Sequence, residues 1–180
     1  EEERKALDQA QLLTAKPVLY VCNVDEGNAA SGNAHSTRVI EMAQAQGAKA
    51  VIISAAIEAE IATMDPADRT EFLGDLGLAE TGLSRIIRAG YALLDLITFF
   101  TAGPKEARAW TVEKGAKAPA AAGVIHSDFE RGFIRAETIA FDDYVGFGGE
   151  SGARDAGKLR SEGKDYVVRD GDVMLFRFNV

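Results

Sequence analysis

The sequence contains a single cysteine, Cys22, among its 180 residues. One thiol cannot form an intramolecular disulfide, and a cysteine-based metal site needs several thiolates. This usage is typical of a reducing compartment, so a cytoplasmic location is expected. No stretch reaches the ~18 consecutive apolar residues that span a bilayer, and no membrane association is expected.

Histidine and net positive charge are also scarce. The two histidines, His35 and His126, are not accompanied by the partner residues of a metal site or a catalytic triad. We therefore predict no catalytic and no metal-ligating residue in this chain. The net charge of −8, most of it in residues 1–95, argues against a broad electrostatic grip on nucleic acid. It leaves room for a local basic patch in residues 96–180.

The first informative stretch is "KPVLYVCNVDE", residues 16–26. Its apolar part, Val18 to Cys22, is short and follows a proline, which favours a strand buried on both faces. The strand ends at Asn23, Val24 and, two residues later, Glu26. In open α/β sheets ligands bind at such strand ends, so these side chains are candidates for a binding site.

A second strand is predicted in "AVIISAA", residues 50–56, and it ends at Ser54-Ala55. A helix from Ser36 or Thr37 to Gln46, closed by Gly47, lies between the two strands. Strand, helix and strand in about 40 residues predict a parallel βα unit, which brings both strand ends to one edge of the sheet.

The polar residues at these two ends resemble a nucleotide-base pocket. P-loop GTPases recognise guanine with Asn-Lys-x-Asp after one strand and a Ser-Ala loop after the next. This chain has Asn23, Val24 and Glu26 at the first end and Ser54-Ala55 at the second. Taken alone, the first motif favours an ordinary loop asparagine and a solvated acid. The paired motifs favour a base pocket.

Beyond the second strand the sequence predicts helices. Asp65 is a candidate N-cap with Pro66 in the first turn, and residues 81–96 carry apolar residues at helical spacing. From residue 96 onward the pattern becomes that of a small mixed sheet with one or two helices.

Within that second part, residues 96–103 and 132–141 read as strands. Two further strands are predicted around Asp170-Gly171 as a hairpin. Residues 104–115 read as a short helix or turn that packs Trp110.

One stretch, "GARDAGKL" from Gly152 to Leu159, matches seven positions of the phosphate-binding loop G-x-x-x-x-G-K-[ST]. The eighth position fails, because Leu159 has no hydroxyl for Mg²⁺, and no strand leads into Gly152. We interpret this match as coincidental.

Several longer stretches resemble the Obg-like ATPases, the YchF group of P-loop NTPases, from about Lys16 to Val180. The similarity lies in the two strand ends above, in "LITFFTAGPKEARAWTVEKG", in "IHSDFERGFIRAE" and in "GKDYVVRDGDV". The last two are highly specific.

This resemblance implies an α/β chain with three parts: residues 1–15 as the end of a helical insertion, 16–95 as the C-terminal part of a Ras-like parallel-sheet nucleotide-binding domain, and 96–180 as a TGS domain with a ubiquitin-like β-grasp fold. It implies that Asn23, Val24 and Glu26 belong to the base-recognition motif, with Ser54-Ala55 beside it. By this resemblance the parent protein hydrolyses ATP or GTP with Mg²⁺, prefers ATP, and associates with ribosomes.

The family's phosphate loop, switch segments and Mg²⁺ ligands precede the helical insertion, and no counterpart occurs in residues 1–180. We therefore expect the chain to be the C-terminal part of a longer protein and to be inactive alone. The alternative is a non-catalytic β-grasp module that binds RNA or the ribosome. The oligomeric state stays open, with a monomer as the expectation.

For the TGS-like part we predict a sheet built around five aromatic residues: Phe99, Trp110, Phe133, Phe176 and Phe178. The glycine-rich stretch from Gly146 to Lys164 is predicted to be a loop. Its four cations are candidates for contacts with ribosomal RNA phosphates: Arg154, Lys158, Arg160 and Lys164.

Overall fold

The computed structural model describes residues 9–179. The chain divides between Leu94 and Asp95 into an N-terminal unit and a C-terminal unit. The helix expected to end within residues 1–15 falls largely outside the described residues, and Leu13–Ala15 form a single 3₁₀ turn. No helix in residues 9–179 is long and apolar enough to cross a membrane.

The N-terminal unit is organised around two parallel strands, β1 (Leu19–Asn23) and β2 (Lys49–Ile53). The helix α1 (Ala34–Ala45) connects them, so the predicted βα unit is confirmed. Burial of β1 on both faces was a wrong prediction, because Val21 is 45% exposed. Within the described residues β1 pairs with β2 alone.

The helix α1 begins two or three residues earlier than predicted because of a capping box. The side chain of Asn33 accepts hydrogen bonds from the backbone N–H groups of His35 and Ser36, both at 3.0 Å. In return the Ser36 hydroxyl accepts the Asn33 N–H at 2.8 Å. These bonds satisfy donors that a helix start leaves unpaired. Gly47, at φ +69°, follows the helix as predicted.

Three more helices complete the N-terminal unit: α2 (Ala55–Thr63), α3 (Arg69–Asp75) and α4 (Gly82–Leu93). Apolar side chains of α2 and α3 pack in a small core with these buried residues: Ala29, Ile57, Ile61 and Leu78. The side chain of Asp65 accepts the Ala67 N–H at 3.1 Å. The bond caps a turn rather than a helix, and α3 begins only at Arg69.

The C-terminal unit is a five-stranded mixed sheet in the order β4-β3-β7-β5-β6. Its strands are β3 (Leu96–Ala102), β4 (Ala107–Glu113), β5 (Phe133–Ala140), β6 (Arg160–Glu162) and β7 (Asp172–Phe178). The central pair, β3 and β7, is parallel, and the other pairs are antiparallel. Four helices accompany the sheet: α5 (Ala118–Ile125), α6 (Ser127–Arg131), α7 (Phe141–Gly146) and α8 (Glu150–Asp155).

The core of this unit contains three of the five predicted aromatic residues. Phe99, Phe133 and Phe176 are buried, and the rings of Phe99 and Phe176 meet edge to face at 5.9 Å. Trp110 is half-buried beside this core. Phe178 was predicted to be in the core but is 38% exposed, and its ring stacks on Phe129 of α6 at 3.9 Å.

Two predictions for this unit were wrong. Residues 107–113, predicted as a helix or turn, form β4, whose Trp110 stands opposite Phe99. The hairpin around Asp170-Gly171 is absent from the described residues, because Val167 bridges to Lys117 instead of pairing with β7. Asp170 and Gly171 bond to the backbone of Thr98 at 2.8 Å each, which directs β7 into the gap between β3 and β5.

Candidate functional site

The two predicted strand ends meet at one edge of the N-terminal unit. Asn23 and Ile53 are register partners, and the Val24 N–H donates to the Ile53 carbonyl at 2.9 Å. The Asn23 side-chain oxygen accepts a hydrogen bond from the Ala55 N–H at 2.9 Å. An asparagine at the first strand end therefore holds the loop at the second end in place.

Ser54 lies between β2 and α2 with extended backbone angles, φ −122° and ψ 111°. Ser54 is 2% exposed, and its hydroxyl has no hydrogen-bond partner among the described residues. A buried polar group without a partner costs about 1–3 kcal/mol. The hydroxyl is thus an unused donor and acceptor within the candidate site.

Val24 and Glu26 follow Asn23 on the exposed side of the site. Val24 is half-buried, and Glu26 is exposed at the start of a 3₁₀ turn, Glu26–Asn28. The neighbouring acid, Asp25, accepts a hydrogen bond from the Asn28 amide at 2.5 Å. The carboxylate of Asp25 is therefore engaged within the loop, whereas that of Glu26 faces solvent.

Nothing in the sequence indicated that Glu58 belongs to the surroundings of this site. In the structure it links α2, the helix that follows the Ser54-Ala55 loop, to the start of α4. Its two carboxylate oxygens accept the N–H groups of Gly82 at 2.6 Å and Leu83 at 3.1 Å. These are the first two residues of α4. The partners are 24 and 25 residues away in the chain, and no local pattern marks such a pair.

The cationic stretch in the C-terminal unit is not the loop that we predicted. Residues 150–155 form α8 and residues 160–162 form β6. Arg154 pairs with Glu150 one turn earlier on α8, and Lys158 pairs with Asp143 at 3.3 Å. Lys164 is exposed. The phosphate-loop match from Gly152 to Leu159 begins inside α8 and continues past its end, and no strand of the described residues leads into it.

The candidate RNA contact Arg160 forms several bonds within its own unit, although 38% of its side chain is exposed. Its guanidinium donates to Glu162 at 3.0 Å and to the Tyr166 hydroxyl at 3.1 Å, and it pairs with Asp172 at 3.5 Å. Asp172 is 2% exposed and also accepts the Tyr166 hydroxyl at 2.7 Å and the Arg169 N–H at 2.9 Å. Burial, together with the hydrogen bond to Asp172, raises the pKa of Tyr166 to about 12.

The two histidines have local roles. His126 caps α6 by accepting the Asp128 N–H at 3.1 Å, and His35 lies in the first turn of α1. Within residues 9–179 no three His, Cys, Asp or Glu side chains are grouped so that they could hold a metal ion.

A family model described as "YchF-GTPase_C: Protein of unknown function (DUF933)" matches residues 96–179. "Ribosome-binding ATPase YchF" of Haemophilus influenzae is 58% identical over 179 residues, which cover 99% of this chain and 49% of that protein. "Obg-like ATPase 1" of Rattus norvegicus is 40% identical over 182 residues, covering 99% and 46%.

The same similarity appears in three dimensions. The structure of the YchF GTPase of Schizosaccharomyces pombe superposes with a TM-score of 0.81 at 34% identity, covering 96% of this chain and 46% of that one. The chain thus spans about half the length of the curated relatives that it matches. The resemblance inferred from the sequence motifs is confirmed.

Proposed function

The chain belongs to the YchF/Obg-like ATPase family, and on that premise we propose that it is part of a ribosome-associated nucleoside triphosphatase that prefers ATP to GTP. Its N-terminal unit is the C-terminal part of a Ras-like nucleotide-binding domain and carries the edge that reads the base. Its C-terminal unit is a TGS domain that contacts the ribosome. The whole protein works in the cytoplasm.

The hydrogen bond between Asn23 and the Ala55 N–H carries the proposal for the N-terminal unit. It joins the ends of two parallel strands, which is where α/β sheets bind ligands. The exposed Glu26 carboxylate lies on the same edge, whereas the Ser54 hydroxyl is buried beneath it. A planar base with donors and acceptors on its rim matches such a set of groups.

The proposed base preference follows from Val24 and Glu26. Val24 has no ammonium group and no long stem to lie over a guanine ring. Glu26 is one methylene longer than aspartate, so its carboxylate misses the paired hydrogen bonds with the guanine edge. Sites that depend on paired hydrogen bonds discriminate strongly, and loss of the pairing removes the preference for guanine.

The strand order of the C-terminal unit supports the β-grasp proposal. A hairpin, a helix and three later strands, with the first and last strands parallel at the centre, are the arrangement of ubiquitin-like folds. The relative from Haemophilus influenzae is named a ribosome-binding ATPase. We propose that Arg154, Lys158 and Lys164 contact ribosomal RNA phosphates, since their side chains are exposed even where they form surface ion pairs.

Hydrolysis is assigned to the longer parent protein. Phosphate contacts and Mg²⁺ supply most of the binding energy in such sites, and the proposed base edge supplies neither. The chain alone is therefore expected to show no Mg²⁺-dependent ATPase activity. Activity that Lys158→Ala abolishes would contradict this expectation and would restore the phosphate-loop interpretation.

The experiment is titration calorimetry of the full-length protein with ATP and GTP. Asn23→Ala removes the acceptor that holds the Ser54-Ala55 loop, and we expect it to weaken ATP binding by about tenfold. The matched control is Asn28→Ala, which removes an amide that bonds only within its own loop. Wild-type affinity in Asn23→Ala would contradict the base site.

The second candidate is a non-catalytic ribosome-binding module, and the name of the relative supports its ribosome binding alone. Co-sedimentation of this chain with ribosomes, together with failure of the full-length protein to bind ATP, would select it.

A further inference from the structure

Glu58 stands one helical turn after the candidate base loop and bonds to a different helix. It lies in the first turn of α2, the helix that begins at Ala55. Its carboxylate accepts two N–H groups from the start of α4, at 2.6 and 3.1 Å. Those N–H groups have no partner within their own helix, and a negative charge at a helix N-terminus is favourable. The contact is thus a charge-assisted, two-bond link between α2 and α4.

The start of α4 is also packed closely against the second strand end. Gly82 is buried, and a Cβ atom there would lie 2.9 Å from the Glu58 Oε1 atom and 2.9 Å from Cγ2 of Ile53. Ile53 is the last residue of β2 and immediately precedes Ser54. The carboxylate, the glycine and the strand end therefore form one contiguous contact beneath the loop.

The helix α2 is consequently held at two points. Its first residue, Ala55, bonds to Asn23, and Glu58 bonds to α4 less than one turn later. A rigid turn fixed at both points has little freedom to change the direction of the Ser54 hydroxyl. Among the described residues, removing the Glu58 carboxylate leaves the bond from the Ala55 N–H to Asn23 as the remaining side-chain hydrogen bond to this turn.

We propose that Glu58 is a positioning residue for base recognition, acting through Ser54-Ala55 rather than by touching the nucleotide. This inference rests on the proposed base site. Loss of Glu58 would lower the base-dependent part of nucleotide affinity and leave the phosphate-dependent part intact. A purely structural role would instead lower the affinity for every nucleotide alike, through loss of folded protein.

The test compares ATP with ribose 5-triphosphate, which lacks a base, by calorimetry on the full-length protein. We expect Glu58→Ala to raise the Kd for ATP by about tenfold, because two charge-assisted bonds are removed. The Kd for ribose 5-triphosphate should stay within about twofold of wild type. Glu58→Gln keeps one carbonyl acceptor and should give an intermediate Kd for ATP, and it serves as the test variant if Glu58→Ala does not fold.

Glu60→Ala is the matched control, since it removes an exposed carboxylate from the same helix. Equal losses for ATP and ribose 5-triphosphate, or no loss for either, would overturn the positioning role. Asn23→Ala is measured in parallel, because it distinguishes failure of the Glu58 positioning role from failure of the base site. If Asn23→Ala discriminates between the two ligands and Glu58→Ala does not, the inference alone fails. If neither variant does, the base site itself fails.

Discussion

The hydroxyl of Tyr166 donates a 2.7 Å hydrogen bond to the buried carboxylate of Asp172, six residues later in the chain. The carboxylate also accepts the Arg169 N–H at 2.9 Å and lies 3.5 Å from the Arg160 guanidinium. Asp172 is only 2% exposed, so its carboxylate has lost most of its contact with water. Each partner that is removed leaves part of this buried charge unpaired and lowers the stability of the folded chain. This group of residues therefore stabilises the end of the sheet where β6 and β7 begin.

Tyr166→Phe should lower the free energy of unfolding by about 1–3 kcal/mol, since the ring remains and only the hydrogen bonds to Asp172 and Arg160 are removed. Urea denaturation followed by circular dichroism measures the change. Tyr144→Phe removes the same hydroxyl from α7, away from this network, and should change the stability by less than about 0.5 kcal/mol. Equal losses in the two variants would contradict the role of the bond.

The stabilising contribution of Tyr166 should also depend on pH. The pKa of Tyr166 is raised to about 12, first by burial and then by the bond to Asp172, whereas an unfolded tyrosine titrates near ~10. The folded state prefers the neutral phenol, so this contribution is complete below pH ~10 and is lost as the pH rises toward about 12. The difference in unfolding free energy between wild type and Tyr166→Phe should shrink over that window. A constant difference would refute the assignment.

Two glycines on α4 should respond oppositely to the same substitution. Gly82→Ala should destabilise the chain by about 1–3 kcal/mol, because its Cβ would press on Glu58 and Ile53. Gly90→Ala meets no atom within 4 Å and should stabilise the chain by about 0.5–1 kcal/mol through higher helix propensity. Thermal unfolding of the two variants side by side checks both signs. A stabilising Gly82→Ala would show that the entry of α4 is not packed closely.

The base preference should be reversible by two substitutions in the full-length protein. Val24→Lys with Glu26→Asp restores the stem and the shorter carboxylate that pair with guanine, and should shift the ratio of ATP to GTP affinity toward GTP by about tenfold or more. Competition binding measures the ratio. Glu60→Asp makes the same acid change on α2 and should leave the ratio unchanged. A wild-type protein that already prefers GTP would contradict the interpretation of Glu26.

Charge reversal tests whether Lys158 and Lys164 contact the ribosome. Lys158→Glu with Lys164→Glu should weaken ribosome co-sedimentation of the full-length protein and reduce its salt slope by about 1 for each phosphate that is no longer neutralised. Lys105→Glu with Lys114→Glu reverses two other exposed cations of the same unit and should have little effect. Unchanged co-sedimentation of the Lys158→Glu, Lys164→Glu variant would contradict the proposed RNA contact and would indicate that another face of the unit binds the ribosome.

Arg160 is unsuitable for that test. Arg160→Glu would bring a second carboxylate toward Asp172 and should cost at least about 2 kcal/mol of stability, which urea denaturation detects. A variant as stable as wild type would show that the guanidinium is not needed by Asp172.

The sequence predicted those parts of the structure that depend on neighbouring residues. The ends of β1 and β2 were predictable because apolar runs stop at Asn23 and Ser54, and a parallel unit must bring those ends together. The strand β4 was missed because only Trp110 and Val112 turn inward, and most of its other residues are exposed. An exposed edge strand carries too few apolar positions to show its period.

The other features that the sequence did not predict depend on contacts between residues far apart in the chain. Glu58 and the first residues of α4 are 24 and 25 positions apart, and the burial of Asp172 follows from the position of β7 in the sheet. The internal bonds of Arg160 were not predictable from its surrounding stretch, which is rich in glycines and charged residues. Its partners Tyr166 and Asp172 approach it only once β6 and β7 have both joined β5.

The central position of β7 has a consequence for biosynthesis. This strand follows all the others of its sheet in the chain, yet it alone joins the β3–β4 pair to the β5–β6 pair. Until the segment Asp172–Phe178 is available, the β3–β4 pair and the β5–β6 pair each have an open edge and an uncovered apolar face. Premature termination before this segment would release a polypeptide that chaperones and proteases recognise, because open strand edges and apolar surface promote aggregation. Completion of this unit is therefore coupled to the arrival of its last strand.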